Sequence, residues 1–338
     1  MANVGDLVSS SVSGNVLPPI TPPTGARDGQ LFAGESLLVR LANFVKLPHT
    51  VFAMPFALVG VILASARHAI TLATIGLVVL AFTAARFAAM GFNRIVDRDV
   101  DALNPRTAMR ELPRGALSLR QAKTAVIVAS LVFILASYNL NALCFWLSPI
   151  ALLWVLGYSY TKRFTRWSHL WLGLGLAIAP VGGYLAVTGM WSQPWWLLCV
   201  LALAIMSWSG GFDILYALQD AEFDRRNGLY SIPSAIGVKS AIGLSRVLHV
   251  TATVCLALAV FADPLRVAGF ASAPLVDGVL YVGVGVVGVM LVYEHRLVKA
   301  DDLSRLNAAF FTMNGIISLL FLCAVLLARL LAVLGTAK

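Results

Sequence analysis

Long apolar stretches broken by short polar clusters set the rhythm of this chain. No Asp, Glu, Lys or Arg lies between Lys123 and Lys162, between Arg166 and Asp213, or between Arg305 and Arg329. A bilayer-crossing helix needs about 20 apolar residues, so each of the first two stretches holds two crossings with a turn between. The turn signals stand at Asn139-Leu140-Asn141 and from Gly189 to Pro194. Backbone polar groups in hydrocarbon must satisfy one another, which makes these segments helices. The short alternating pattern of a membrane barrel is absent. The pattern predicts an all-α, multi-pass transmembrane helical bundle with nine spans, at roughly 44–66, 70–91, 122–140, 143–160, 169–188, 194–212, 241–262, 276–293 and 309–333.

Composition agrees. Of 338 residues 59% are hydrophobic and 12% charged, whereas soluble domains carry about 25% charged residues. The net charge of +9 would suggest nucleic acid in a soluble protein. Here topology explains it, and no nucleic-acid partner is expected. With nine spans, twenty of the 25 Lys and Arg fall on one side, four on the other, and Arg86 inside span 2. The positive-inside rule then puts the N-terminus and the large charged loops in the cytoplasm. Cys144, Cys199, Cys255 and Cys323 each lie in an apolar span without paired spacing, and read as packing residues. Residues 1–35, rich in Ser, Gly and Pro, read as a disordered tail without signal-peptide character. The spans themselves would direct insertion. One membrane domain, 36–338, follows.

Two loops, each after an even-numbered span, carry the chemistry. In the first, Asn93, Asp97 and Asp101 are spaced by four and share one helix face, while Asp99 points elsewhere. Arg106, Arg110 and Arg114 follow in a Pro-broken loop. In the second, Asp213 leads and Asp220 and Asp224 repeat the spacing of four, with Arg225, Arg226 and Lys239 beyond. Like charges on one face repel, so a solvated helix end is the plain reading of either cluster alone. Carboxylates are also the ligands of Mg²⁺, which is usually held by one or two of them plus substrate phosphates. Arg donates bidentately to phosphate. Two such clusters, four spans apart, are better explained as opposed metal-binding faces across a central cavity.

These residues resemble the UbiA superfamily of intramembrane prenyltransferases. Its first signature, N-D-x-x-D-x-x-x-D followed by R-T-x-x-R-x-L-P-x-G, is met at Asn93, Asp97, Asp101, Arg106-Thr107, Arg110, Leu112-Pro113 and Gly115. Its second, D-x-x-x-D, falls on Asp220 and Asp224, with Asp213 leading, and Y-x-x-x-K-R-x-T falls on Tyr158, Lys162, Arg163 and Thr165. One departure is Arg94, where the family often has Asp. The local context is similar to the 4-hydroxybenzoate polyprenyltransferase-like branch. Some members of that branch resemble enzymes of the futalosine route to menaquinone, whose acceptor is a dihydroxynaphthoate.

The resemblance implies transfer of a polyprenyl group from polyprenyl diphosphate to an aromatic acceptor such as 4-hydroxybenzoate, in a bacterial inner membrane and with the site facing the cytoplasm. Asp97, Asp101, Asp220 and Asp224 would hold Mg²⁺, supported by Asn93. Arg106, Arg110, Lys162 and Arg163 would contact phosphate. Lys46 is a candidate for an acceptor carboxylate or a phosphate, and Arg86 for pairing with an Asp or holding an acceptor carboxylate, with snorkelling or a structural salt bridge as the plain reading of Arg86. Tyr158 would shield the cation or orient the ring, or stand as an interface aromatic. The five histidines lack ligand spacing and read as structural. The Gly-rich stretch at Gly173, Gly175, Gly182 and Gly183 reads as close helix packing. Haem, chlorophyll and homogentisate prenylation are alternatives within the class. A transporter with intramembrane carboxylates is the alternative outside it.

Overall fold

A computed structural model describes residues 32–47, 50, 53–261, 274–306 and 308–336, and places helix along each long apolar stretch. In order these are α1 (Leu37–Phe44), α2 (Met54–Ala64), α3 (Leu72–Val96), α4 (Arg98–Leu103), α5 (Leu119–Leu140), α6 (Ala142–Thr161), α7 (Ser168–Thr188), α8 (Trp196–Ala217), α9 (Ala221–Arg226), α10 (Ile232–Ile236), α11 (Val238–Phe261), α12 (Pro274–Leu297) and α13 (Asn314–Thr336). A 3₁₀ turn, Leu218–Asp220, joins α8 to α9, and a π-helical turn, Ala308–Met313, leads into α13. Among the described residues there is no strand, only an isolated bridge between Lys299 and Asp302. Of the expected tail, 1–31 lie outside the described residues. At its end Phe32 is tied to Asn43, whose side chain bonds both its N–H and its carbonyl.

Local chemistry sets the boundaries. Thr71 caps α3, and Ser118 with Gln121 forms a capping box at α5. Asn141 alone makes the turn predicted near 140: it ends α5 and caps α6 through Cys144 N–H, 2.9 Å away. Gly189, at φ +64°, ends α7 in the left-handed conformation that glycine adopts freely.

Among the described residues eight helices are long and apolar enough to cross a membrane, against the nine expected. The expected first span, 44–66, is interrupted. α1 ends at Phe44, Lys46 takes φ +47°, and α2 has only 11 residues with Pro55 in its first turn. At 1.5 Å per residue α2 covers about 16 Å, roughly half of the hydrocarbon thickness. Its neighbours fix where it lies. Arg40 in α1 donates to the Ala116 carbonyl in the loop after α4, and Ser65, just past α2, accepts from Arg329 near the end of α13. A helix end frees backbone carbonyls that need partners. Arg86 donates to the Val45 carbonyl and to the Thr50 hydroxyl, each at 3.2 Å.

α8 is the central helix, buried over two-thirds of its length, and packs on α7 and α11. α2 is wedged between α7 and α13, while α3, α5 and α6 form the other side. Glycines make the close approaches possible. A Cβ on Gly183 would enter the Ala57 carbonyl, and one on Gly173 would stand 2.5 Å from the Met206 carbonyl. Gly182, by contrast, has nothing within 4 Å. The main core, around Phe56, Trp208, Leu256 and Phe321, holds α2, α8, α11 and α13 together.

Candidate active site

The first acidic row sits on a broken helix. Asp97 is the joint between α3 and α4, at φ −92° and ψ 5°. The i to i−4 bonds nevertheless continue, from Asp97 N–H to the Asn93 carbonyl at 2.9 Å and from Asp101 N–H to the Asp97 carbonyl at 2.7 Å. The spacing of four therefore keeps its common face across the joint. Asn93 Nδ2 donates to Asp97 Oδ2 at 2.9 Å. Asp99 is not part of this row: its side chain is 85% exposed and pairs with Arg98.

The second row repeats this construction. Asp220 closes the 3₁₀ turn between α8 and α9, at φ −101° and ψ 0°. Phe212, Tyr216, Asp220 and Asp224 form a column spaced by four. Asp213 stands about two turns before Asp220, where His169 Nδ1 lies 2.7 Å from its Oδ2. His169 Nε2 accepts from Ile232 N–H, leaving its Nδ1–H to donate to Asp213. The structural reading of His169 thus acquires a definite task, holding Asp213.

Cations knit the two rows into one cluster. Arg106, from the loop after the first row, grips Asp220 of the second bidentately, Nε to Oδ1 at 3.0 Å and Nη2 to Oδ2 at 2.6 Å. Asn104 Nδ2 donates to the same Asp220 Oδ1 at 3.1 Å. Within the first row, Arg110 Nη1 lies 2.9 Å from both oxygens of Asp101. At the end of α6 two consecutive residues turn to different rows. Lys162 Nζ donates to Asp224 Oδ2 at 3.2 Å, and Arg163 Nη2 to Asp97 Oδ1 at 3.0 Å. Each of the four carboxylates therefore has its own cation. Exposure varies within the cluster: the Asp224 side chain is 3% exposed against 26% for Asp97, while their cations Lys162 and Arg163 are 30% and 34% exposed.

Charge and burial compete at this cluster. Burial raises the Asp97 carboxyl above its ordinary range, with Arg163 opposing and Asp101 reinforcing. Burial works to lower Lys162, but Asp224, Asp220 and Asp213 outweigh it and hold the ammonium above its ordinary value. Arg106 is likewise raised: Asp220 and Tyr216 overcome its desolvation.

The remaining predicted residues fall in three places. Tyr158, on α6, stands among the charges of Asp213, Asp97, Asp224 and Arg110. Lys46, at the break after α1, lies over the Phe311 ring with its Nζ 5.9 Å from the centroid. Arg86, on α3 and about two turns before Asn93, donates to the backbone of the break described above. Arg225 and Arg226 face away, both paired with Glu222 on the surface.

Several neighbours carried no clear signal in the sequence. Tyr216 stacks on Phe310 at 4.1 Å and meets Phe311 edge-on, and the Arg106 guanidinium lies 5.5 Å from the Tyr216 centroid. An aromatic wall thus lines the cluster, and only the position of Tyr216, four before Asp220, hinted at it. Arg94, at the family's acidic position, is buried with Glu111 in a 2.8 Å ion pair. It supplies the first row with a neighbouring cation instead of a carboxylate.

Among the described residues no three His, Cys, Asp or Glu side chains converge on one point. The acids are turned to their cations instead. The donor set is nonetheless the hard-oxygen type that Mg²⁺ prefers, and the cations facing it are the partners a diphosphate would draw off. The residues fit a divalent ion bound together with an anionic substrate.

Known proteins resemble this chain in sequence and in fold. The UbiA prenyltransferase family matches residues 53–316. Two relatives described as 4-hydroxybenzoate octaprenyltransferase are similar along most of the chain. The one from Aromatoleum aromaticum is 30% identical over 77% of this chain and 81% of its own length, and the one from Edwardsiella ictaluri is 32% identical over 73% and 82%. Among solved structures, an apo UbiA homolog from Aeropyrum pernix superposes with a TM-score of 0.72 at 30% identity, covering 83% of this chain and 98% of that one. A UbiA homolog from Archaeoglobus fulgidus, bound to DMAPP and Mg²⁺, has a TM-score of 0.68 at 18% identity, covering 86% and 99%.

Proposed function

The chain belongs to the UbiA prenyltransferase family, and from that premise we propose that it transfers a polyprenyl group from polyprenyl diphosphate to the ring of 4-hydroxybenzoate, in the membrane and with Mg²⁺. The observation that carries this reading is the bridging of two carboxylate rows by Arg106 and by the Lys162-Arg163 pair. A diphosphate needs several cations and a divalent ion at one point, and this cluster assembles both kinds of partner.

Asp97 and Asp101 from one row, and Asp220 and Asp224 from the other, would hold the metal, with Asn93 steadying Asp97. When bound, Mg²⁺ neutralises charge on the diphosphate and makes it a better leaving group. Arg106, Arg110, Lys162 and Arg163 exchange their carboxylate partners for phosphate oxygens. The allylic C–O bond then breaks with its electron pair going to the diphosphate, and the fixed cations stabilise that developing charge. The aromatic wall of Tyr216, Phe310 and Phe311, with Tyr158 beside the acids, shields the allylic cation from water. A ring carbon of the phenolic acceptor attacks it, and the ring passes a proton to the released diphosphate to restore aromaticity. Lys46 is the acceptor-carboxylate contact of this reading. Arg86 serves first to hold the broken α1–α2 segment, and through it the position of Lys46.

The 36–338 stretch acts as one membrane domain, with the acid cluster at the cytoplasmic end, as the distribution of Lys and Arg supports. The relatives named for 4-hydroxybenzoate favour that acceptor over the dihydroxynaphthoate of the menaquinone route. The test is direct. Purified protein, radiolabelled polyprenyl diphosphate, Mg²⁺ and 4-hydroxybenzoate should give a prenylated acid, with none formed after chelation. A transporter would give no product under any of these conditions.

A further inference from the structure

Away from the acid cluster, a groove of about 510 Å³ opens where α11 and α12 meet the polar face of the bundle. Its lining includes Lys239, Arg246, His295, Arg296 and Lys299, with Asp301 as the one acid. The four Lys and Arg are exposed, and among the described residues none forms an ion pair. Lys239, Ile242 and Arg246 share one face of the first turns of α11, at spacings of three and four. His295 and Arg296 end α12, and the turn bridged between Lys299 and Asp302 closes the groove. His295 Nε2 engages His249 Nδ1 at 3.0 Å, while its Nδ1 is buried without a partner.

The surface beside the groove is apolar and faces outward. On α11 the line that starts at Arg246 continues at steps of four through Val250, Val254 and Leu258, which are 63%, 50% and 48% exposed. On α12 the line that ends at Arg296 runs back through Val292, Val289 and Val282, at 57%, 69% and 65%. The helices pack against each other here, with Gly288 facing Thr253. Each cation thus heads a lipid-facing apolar column, and the two columns flank one seam.

We propose that this groove binds the phosphate-bearing head of an anionic phospholipid, whose acyl chains lie along the α11–α12 seam. A net excess of three positive charges matches a phosphate. Basic pockets between helices on the cytoplasmic side are where anionic headgroups bind. A free phosphate or diphosphate would satisfy the cations but leave the apolar columns without a role. A prenyl diphosphate shares both chemistries, but the columns face bulk lipid, where phospholipid is in vast excess.

Native mass spectrometry of the delipidated full chain in detergent tests this, with dioleoyl-phosphatidylglycerol, dioleoyl-phosphatidylcholine, geranylgeranyl diphosphate and inorganic diphosphate added in separate titrations. The wild type should bind one phosphatidylglycerol tightly. Arg246→Gln with Arg296→Gln should weaken it about thirtyfold, the loss expected of two surface cations. Arg246→Lys with Arg296→Lys should keep most of the binding. Prenyl transfer measured in detergent should be unchanged in both, which shows that the variants fold and separates this site from the acid cluster. Equal binding of phosphatidylglycerol by wild type and the Gln variant would overturn the proposal. So would equal affinity for phosphatidylcholine, or displacement of the lipid by either diphosphate at matched concentration.

Discussion

Replacing Asp220 by Asn keeps the shape of the side chain and removes one charge from the centre of the cluster. The Arg106 guanidinium then loses a bidentate partner at 2.6 and 3.0 Å, and Asn104 faces an amide instead of a carboxylate. Stranding a fully buried charge costs about 3–5 kcal/mol. Here the two side chains are 20% and 11% exposed, so water recovers part of it and about 2–3 kcal/mol is expected. Arg106→Gln should cost a similar amount for the same reason. The double variant removes both charges together, so it should be more stable than the sum of the single losses by about 2 kcal/mol. Thermal unfolding of the four proteins in one detergent measures this coupling. Turnover should behave differently. Loss of one preorganised electrostatic partner costs roughly 10²–10³ in rate, and pairing two neutral amides restores none of it. The double variant should therefore regain stability and stay inactive. A coupling below about 0.5 kcal/mol, or an Asp220→Asn turnover within about tenfold of wild type, would refute the reasoning.

Three further outcomes follow from other contacts. Gly183→Ala places a methyl against the Ala57 carbonyl and should destabilise the bundle by about 1–3 kcal/mol, read as a lower unfolding temperature, whereas Gly182→Ala should be nearly neutral. Arg94→Met leaves Glu111 buried and unpaired, and should cost about 3–5 kcal/mol, while Arg94→Met with Glu111→Leu should recover most of that loss. Lys162→Met should lower stability at neutral pH. Because the folded ammonium is held above 10.5, the wild-type advantage should be constant from about pH 6 to pH 9 and shrink only as the pH rises beyond 10.5 through the folded value.

The membrane character and the two acidic rows were legible because they rest on local pattern: charge-free stretches of helix length and carboxylates at steps of four. The joints at Asp97 and Asp220 were not, because i to i−4 bonding carries the same spacing across a bend. The short helix within the first expected crossing was hidden for a related reason. Hydropathy sums over residues 44–66 without registering that Lys46 adopts a left-handed backbone or that Pro55 must open a new helix. Arg86 was ambiguous in sequence because its partners, the Val45 carbonyl and Thr50, are about 40 residues away and one of them is backbone. The pairing of acids with cations across the rows was equally hidden. Spacing shows which residues share a face, but not that Arg106 reaches Asp220 rather than its near neighbour Asp101. The aromatic wall depends on the π-helical turn at 308–313, and no pattern in that segment announces it.

The end of α6 has a consequence of its own. Successive residues on a helix point about 100° apart, so Lys162 and Arg163 let a single turn of backbone act as the hub between two halves of the molecule. Sliding that turn by one residue's rise, about 1.5 Å, would stretch both salt bridges together, so neither half can be let go on its own. Whatever moves α6 would open and close the two sides in concert, as one latch rather than two.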